Sequence, residues 1–340
     1  MTADSDLLAD NPFGSCPLPK SRYDQILLGH GSGGLLTADL IQRVFVPGFG
    51  NEVLAALEDQ ATLAFDRFHK GPRIAFTTDS FVVRPLFFPG GDIGRLAVHG
   101  TVNDLAVGGA EPLFLSAAFI LEEGLPLTDL QRIVASMHAA CEEAGVALVT
   151  GDTKVVDRGK GDGVFITTSG IGVVPEGRAL SIHAARPGDR ILLSGTIGDH
   201  GVAIMSVREG IEFETVLESD SASLAGLTAA MLEACPAIRC MRDPTRGGLS
   251  SALNELAAAS RVGVRLTEAA IPVRNEVHAA CEMLGLDPLY VANEGKLIAV
   301  VPPRLLKPLL LSVMLAQPAA TVAALAAAQL VWNGFSRYWL

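Results

Sequence analysis

Three aspartates stand where carboxylates could bind a cation. Asp79 comes at the end of the predicted strand RIAFTT, Asp104 lies within a predicted helix, and Asp152 follows the predicted strand VALVT. Carboxylates at strand ends can gather at one edge of a sheet, and hard oxygen ligands of this kind bind Mg²⁺, which offsets phosphate charge. An aspartate after a strand is also a common turn former or helix N-cap, so on the residues alone both interpretations stay open.

Two further side chains could act on a carbonyl group. Lys154 could reach a phosphoryl or carbonyl oxygen, and Glu294 in ANEGKL could serve as a general base. A solvated loop lysine and a charged turn residue are the ordinary alternatives. Thr245 in DPTRGG could cap a helix whose N-terminus faces an anion, with Arg246 beside it, although capping alone would also explain this motif.

A glycine-rich segment precedes these groups. Residues 29–34 read GHGSGG, and bare backbone N–H groups in such a segment can approach phosphate oxygens. No lysine follows in the position that a Walker loop requires. Taken alone, the segment is as consistent with a flexible turn as with a nucleotide-binding arm of another kind.

Composition narrows the class of protein. A chain of 340 residues, 49% hydrophobic and with 35 glycines, suits a compact two-domain α/β or α+β enzyme. Its net charge of −11 argues against binding nucleic acid or an anionic membrane surface. The five cysteines include no C-x-x-C pair, and the N-terminus lacks a basic signal region, so we expect a cytoplasmic protein. The uncharged stretch 308–336 is rich in alanine, and we expect no membrane span there.

Local patterns indicate the elements that must position these groups. Strands are predicted at 62–66, 73–80, 146–153, 163–174 and 297–301, and helices at 92–110, 128–145 and within 243–260. Thr128 and Gln131 have the spacing of a capping box, and Cys141 falls on the apolar stripe of that helix. The alternation lacks the regularity of a doubly wound sheet, so the predicted fold class is α+β. The polar connector 175–189 separates the predicted domains, an arm 1–43, a domain 44–175 and a domain 176–340.

Longer blocks then occur in order along the chain. They are HGSGG, TTDSFVVRPLFFPGGDIGRLAVHGTVNDLAVGGA, FILEEGLP, VTGDTKVV, SGTIGDHG, RDPTRGGL and ANEGKL. Together they resemble the HypE family of hydrogenase maturation proteins, in the superfamily of aminoimidazole ribonucleotide (AIR) synthetase and selenophosphate synthetase. The resemblance implies a PurM-like fold, with an N-terminal ATP-binding domain whose β-sheet dimerises and a C-terminal α/β domain.

The resemblance also implies an activity. Members of the family use ATP and Mg²⁺ to dehydrate a carboxamide on a cysteine at their own C-terminus, and the resulting thiocyanate supplies cyanide to the iron of [NiFe]-hydrogenase. A HypF-type carbamoyltransferase would add the carbamoyl group, and a HypC–HypD complex would receive the cyanide. We therefore expect a homodimer with these partners, and neither nucleic acid nor membrane among them.

Site residues follow from the resemblance position by position. Asp79, Asp104 and Asp152 match acids near Mg²⁺ and the ATP phosphates and are the predicted metal ligands. The predicted catalytic residues are Glu294, which would remove N–H protons, and Lys154, which would polarise the amide oxygen or stabilise its phosphorylated form. The predicted nucleotide-binding residues are Gly31, Ser32, Gly33, Gly34, Asp79, Asn103, Asp104, Asp152 and Thr153.

The end of the chain departs from the family. HypE proteins end in Pro-Arg-Ile-Cys, whereas this sequence ends VWNGFSRYWL and its last cysteine is Cys281. Either the tail is truncated or read in an altered frame, in which case the chain could not dehydrate itself, or the chain is a divergent paralogue. The alternative functions are a docking partner without turnover, and another ATP-dependent kinase or amide-activating enzyme of the superfamily.

Overall fold

The computed structural model describes residues 34–46, 55–63, 73–210, 217–306, 309 and 328–331. The chain divides into two compact units, Met1–Ala55 and Ala56–Leu340. In the first unit, helix α1 (Gly34–Leu40) continues as a π-helical turn, Ile41–Phe45, and carries an ion pair between Arg43 and Asp39 at 2.5 Å. Gly34 begins α1 with a φ of 74°, and the predicted residues Gly31, Ser32 and Gly33 lie outside the described residues.

A five-stranded sheet forms the first half of the second unit. Its strands, in the order β1-β2-β7-β5-β6, are β1 (Ala61–Leu63), β2 (Arg73–Phe81), β5 (Glu111–Glu122), β6 (Ala147–Val156) and β7 (Val164–Val174). Strands β5 and β6 pair in parallel, and the other neighbours pair antiparallel. A short hairpin of β3 (Phe87–Phe88) and β4 (Gly91–Asp92) leads into the next helix.

Two helices cover one face of this sheet, which we call the inner face. Helix α2 (Ile93–Val107) packs directly on the strands, and α3 (Leu127–Ala144) packs against α2. The Asp92 side chain caps α2 by accepting from the N–H groups of Gly94 and Arg95 at 2.8 and 3.0 Å. A Cβ at Gly94 would lie 2.5 Å from the Ile133 carbonyl oxygen, so this glycine allows the two helices to touch.

The second half of this unit contains another five-stranded sheet, in the order β10-β12-β8-β11-β9. Its strands are β8 (Arg190–Leu193), β9 (Cys240–Arg242), β10 (Gly263–Arg265), β11 (Ile298–Val301) and β12 (Ala328–Val331). The helices are α4 (Asp199–Glu209), α5 (Ala225–Ala234), α6 (Gly248–Ser260) and α7 (Asn275–Leu284). Every residue of β11 is buried, because alternate side chains join two separate apolar clusters.

Most predicted elements are present near their expected positions. The predictions at 73–80, 92–110, 128–145 and 163–174 correspond to β2, α2, α3 and β7, and Cys141 is buried as expected. The capping box is wrong, because α3 begins at Leu127 after Pro126 and has no side-chain cap, which leaves Thr128 inside the first turn. Strand β5 was not predicted. Among the described residues, no helix is long and apolar enough to cross a membrane.

Candidate functional site

The site begins with two aspartates on the inner face. Asp79 lies within β2 rather than after it, and its Oδ1 is 3.4 Å from Arg246 Nη2. Asp104 lies on α2 and accepts a hydrogen bond of 2.9 Å from Thr77 Oγ1. Burial raises the pKa of the Asp104 carboxyl well above its ordinary value, and the negative charges of Asp243 and Asp79 raise it further. The two carboxylates therefore repel each other in a partly buried site.

Asp243 is a member of this group that sequence reasoning did not identify. It follows β9 directly. Burial raises the pKa of Asp79, the charge of Arg246 lowers it, and the charge of Asp243 has a smaller, raising effect. Thr245 donates to Asp243 Oδ2 at 2.7 Å, and α6 begins after Gly247 without a side-chain cap. The predicted capping role of Thr245 is therefore wrong. The sequence signal that could have identified Asp243 was its place as the first residue of the DPTRGG motif.

Glu294 lies close to the same acids, in the turn before β11. Its carboxyl is buried, and burial raises its pKa well above the ordinary value, with Asp243, Asp220 and Asp79 adding to the rise and Arg246 opposing it. The backbone of Glu294 is held at both ends, since its N–H donates to Asp220 Oδ1 at 3.0 Å and its carbonyl accepts from Asn103 Nδ2 at 3.1 Å. A carboxyl that is almost wholly buried and has a raised pKa suits acid–base chemistry.

Asn103 supports this turn through its whole amide group. Its Nδ2 also donates to the Ala222 carbonyl at 3.0 Å, and its Oδ1 accepts from the Leu224 N–H at 2.7 Å. The side chain is fully buried. Both N–H groups and the oxygen of the amide are thus engaged within the chain, and contact between Asn103 and a nucleotide stays a prediction.

Residues 217–224, which we call the strap, hold the groups around Glu294. Asp220 Oδ2 lies 3.1 Å from Lys296 Nζ, and a Cβ at Gly295 would come within 1.9 Å of the Asp220 carbonyl oxygen. Two neighbouring strap serines lie within hydrogen-bonding distance of two buried imidazoles, with Ser219 Oγ 2.8 Å from His200 Nδ1 and Ser221 Oγ 3.1 Å from His99 Nδ1. The sequence of the strap gave no signal for this role.

Asp152, Thr153 and Lys154 lie elsewhere, on β6 at the edge of the first sheet. Paired residues of neighbouring strands share a face, and the row through Asp79 reads Thr168, Ala117 and Gly151. Asp152 and Lys154 pair with Ala118 and Ile120, and therefore belong to the opposite, outer face, about 14 Å from Asp79 across three strand spacings.

The three predicted metal ligands therefore do not gather at one edge of the sheet within one chain. Among the described residues, no three His, Cys, Asp or Glu side chains form a group that could hold a metal ion. Asp79 and Asp104 nevertheless suit a cation, because each is a partly buried carboxyl whose ionisation is opposed by the negative charge of Asp243. The Mg²⁺ assignments stay predictions.

The outer face of the sheet is exposed and patterned. Phe76, Ile171 and Phe114 form one row across three strands, and each side chain is more than 40% exposed. The next rows carry hydroxyls, with Ser169 Oγ donating to Thr78 Oγ1 at 3.0 Å and Ser80 Oγ 3.1 Å from Thr167 Oγ1. An exposed apolar row on the face of a sheet is a feature of surfaces that associate.

Comparisons with known proteins identify the family. The N-terminal domain of AIR synthase related protein matches residues 57–174, and the C-terminal domain matches residues 186–327. The carbamoyl dehydratase HypE of Azotobacter vinelandii is 63% identical over 282 residues, which are 83% of this chain and 81% of that protein. The chain belongs to the HypE family. Its fold is therefore the two-domain α+β fold of PurM-like proteins, as the sequence predicted.

Solved structures agree with this placement. A chain described as the crystal structure of a HypE–HypF complex matches with a TM-score of 0.81 and 49% identity over 86% of this chain and 93% of that chain. A HypE structure in complex with ATP matches with a TM-score of 0.73 and 47% identity over 90% of this chain and 89% of that chain. The two family domains meet between residues 174 and 186, and the predicted limits at 43 and 175 stay predictions.

Proposed function

We propose that this chain is an ATP-dependent carbamoyl dehydratase, which converts a cysteine S-carboxamide into a thiocyanate and so supplies cyanide ligands for the iron of [NiFe]-hydrogenase. The observation that carries the proposal is the buried Glu294 carboxyl, with its raised pKa, beside Asp79, Asp104 and Arg246 in a HypE-family chain. A base of this kind is what removal of N–H protons from an amide requires.

The chemistry assigns a task to each group. An amide oxygen is a poor leaving group, and its phosphorylation by ATP turns loss of water into loss of phosphate. Glu294 takes protons from the amide nitrogen, and Lys154 polarises the oxygen that attacks the γ-phosphate. Arg246, 3.4 Å from Asp79, is placed to bind a phosphate oxygen. Mg²⁺ held by Asp79 and Asp104 would supply positive charge to the transferring phosphoryl group.

The catalytic pair requires a homodimer. Glu294 is joined through Asn103 to α2 on the inner face, whereas Lys154 belongs to the outer face of the same sheet. We therefore propose that the outer faces of two copies associate, and that Lys154 and Asp152 of one copy complete the site of the other. The exposed row of Phe76, Ile171 and Phe114 supports this association.

The partners follow from the family. A HypE–HypF complex has been solved for a similar chain, so we propose a HypF-type carbamoyltransferase as the donor of the carbamoyl group and a HypC–HypD complex as the recipient of cyanide. Docking without turnover is not favoured, because a docking role gives no reason to bury a carboxyl with a raised pKa among other acids. Contact of residues 31–34 with the nucleotide stays a prediction from the resemblance.

A peptide assay tests the proposal. The substrate is a synthetic peptide that ends in Pro-Arg-Ile-Cys and carries a carboxamide on the cysteine sulfur, supplied with ATP and Mg²⁺. We expect the peptide to lose the mass of one water for each ADP formed, and the Glu294→Gln variant to bind ATP without forming thiocyanate. ATP binding without any loss of water from the peptide would refute dehydratase activity, and ADP formation with a free small molecule would indicate the kinase alternative.

A further inference from the structure

His200 carries a buried imidazole that has no role in the reaction proposed above. It lies in the first turn of α4, is 6% exposed, and packs edge-on against the Phe88 ring at a centroid distance of 5.7 Å. Its Nε2 is 4.0 Å from Glu294 Oε1, and its Nδ1 is 2.8 Å from Ser219 Oγ. One ring nitrogen therefore faces the strap, and the other faces the carboxyl of the general base.

The reaction has a proton requirement that one carboxylate does not meet. In the first step the amide oxygen attacks the γ-phosphorus, the bond to ADP breaks, and one N–H proton leaves. In the second step the remaining N–H proton leaves, the C–O bond breaks, and phosphate departs with the electron pair of that bond. The C=N double bond thereby becomes the C≡N triple bond of the thiocyanate. Glu294 accepts a single proton, so it must pass on the first before it can take the second.

We propose that His200 is the proton relay for Glu294, receiving the first proton at Nε2 and thereby restoring the carboxylate for the second step. This inference rests on the proposed function. The relay returns its proton to the departing phosphate, so that one of the two amide protons leaves on phosphate and the other reaches solvent. A separation of 4.0 Å closes to hydrogen-bonding distance with a small rotation of the Glu294 side chain, as catalytic contacts commonly do when substrate binds.

The hydrogen bonds of the strap allow the tautomer that this role needs. Ser219 Oγ already accepts from the Ser221 N–H at 3.1 Å, and its second lone pair is available to a proton on His200 Nδ1. A proton on Nδ1 leaves a lone pair on Nε2, facing Glu294. Burial lowers the pKa of His200 to about 4, and of the neighbouring charges Asp220 raises it and Arg208 lowers it, so the ring is neutral near pH 7 and holds the relayed proton only in transit to the departing phosphate.

Variants of His200 separate a relay from a structural histidine. An asparagine can still donate to Ser219 from the position of Nδ1, but it has no atom equivalent to Nε2. In the peptide assay we expect His200→Asn to form ADP in the first turnover within about threefold of wild type, since the first proton still goes to Glu294. Thiocyanate formation should fall about 10²-fold, the usual contribution of a proton-transfer group. His138→Asn is the matched control, because that histidine is 75% exposed, and both steps should stay unchanged.

Nitrogen NMR gives a readout that does not depend on turnover. In ¹⁵N-histidine-labelled wild type we expect His200 to carry its proton on Nδ1, and we expect the Nε2 resonance to shift as Glu294 titrates, an effect that Glu294→Gln abolishes. A proton on Nε2, or an Nε2 resonance indifferent to Glu294, would overturn the relay. Equal losses in ADP and thiocyanate formation together with a lowered Tm would also overturn it, as a structural role predicts. A wild-type protein that never dehydrates the peptide counts against the proposed function, and the NMR result then still decides whether Glu294 and His200 exchange a proton.

Discussion

The inner and outer faces of the first sheet divide the predicted site between them. The inner face, covered by α2, holds Asp79 and Asp104, which are partly buried near Glu294 and accept hydrogen bonds from Arg246 and Thr77. The outer face holds Asp152 and Lys154 on a strand that is exposed along almost its whole length. The described part of the inner half is held by contacts within one chain, whereas the side chains of Asp152 and Lys154 on the outer face have no such contacts within the described residues.

This difference shows which contacts must offset the unfavourable free energy of burying the acids of the site. Burial of several acids together is unfavourable and raises their pKa values, so the inner face must be held by packing and by the strap around Glu294. On the outer face of a single chain no carboxylates are buried together, and the rows of hydroxyl and apolar side chains are exposed to contact another surface. The comparison therefore predicts that the two halves act together only across two copies.

The largest expected effect comes from mixing two inactive variants. Lys154→Met and Glu294→Gln should each lower thiocyanate formation about 10³-fold, because each removes a group from every site. When the two variants are co-expressed in equal amounts, the population should regain about a quarter of the wild-type rate, since about half of the dimers are mixed and each of these has one intact site of two.

The control for this mixing experiment combines both substitutions in one chain with a wild-type partner. If each site is built within one chain, co-expression of the double variant with wild type should give half of the wild-type rate. Co-expression of the two single variants should then give no recovery. That pattern would contradict the division of the site between two copies.

A smaller effect is expected from a charge placed on the outer face. Ile171→Asp puts a carboxylate in the centre of the apolar row between Phe76 and Phe114, and burial of an unpaired charge on association is strongly unfavourable. Light scattering should show the molar mass halved, and thiocyanate formation should fall by about tenfold or more. Val134→Asp on α3, where the side chain is 49% exposed, is the matched control and should leave both unchanged. A wild-type chain that is monomeric and active would contradict the assembly of the site from two copies.

The smallest effect concerns the pH dependence of the inner face. Burial lowers the pKa of His99 from 6.5 to about 3, with Arg95 adding to the shift. Between these values the unfolded chain binds the extra proton, so this histidine makes stability rise with pH, by up to about 1.4 kcal/mol per pH unit, and its contribution is complete above 6.5. The buried acids act with the opposite sign, since burial raises the pKa of Asp59 to about 7 despite Arg242.

A single substitution isolates the histidine contribution. Urea unfolding of His99→Gln between about pH 4 and 7 should give a shallower rise in stability with pH than wild type, whereas the exposed His138→Gln should follow wild type. Parallel curves for wild type and His99→Gln would show that His99 titrates normally in the folded chain.

Local sequence patterns predicted the elements that carry the site, and they failed where only packing decides. The alternating strand at 73–80 and the helices at 92–110 and 128–145 were readable because their apolar spacing matches the strand or helix period. Strand β5 was not predicted because apolar residues occupy both of its faces, so that EPLFLSAAFILE shows no clear alternation. The strap was equally unreadable, since its role depends on partners far away along the chain.

By itself the sequence determined the residue types of the site, the α+β class and the family, because long ordered blocks such as VTGDTKVV and ANEGKL carry that information locally. Only the tertiary structure decided which of these groups share a face. Side chains alternate along a strand, so Gly151 belongs to the inner face and the next residue, Asp152, to the outer one, and no local pattern states which face a helix will cover. The same reason left His200 unassigned, since its approach to Glu294 joins residues 94 positions apart.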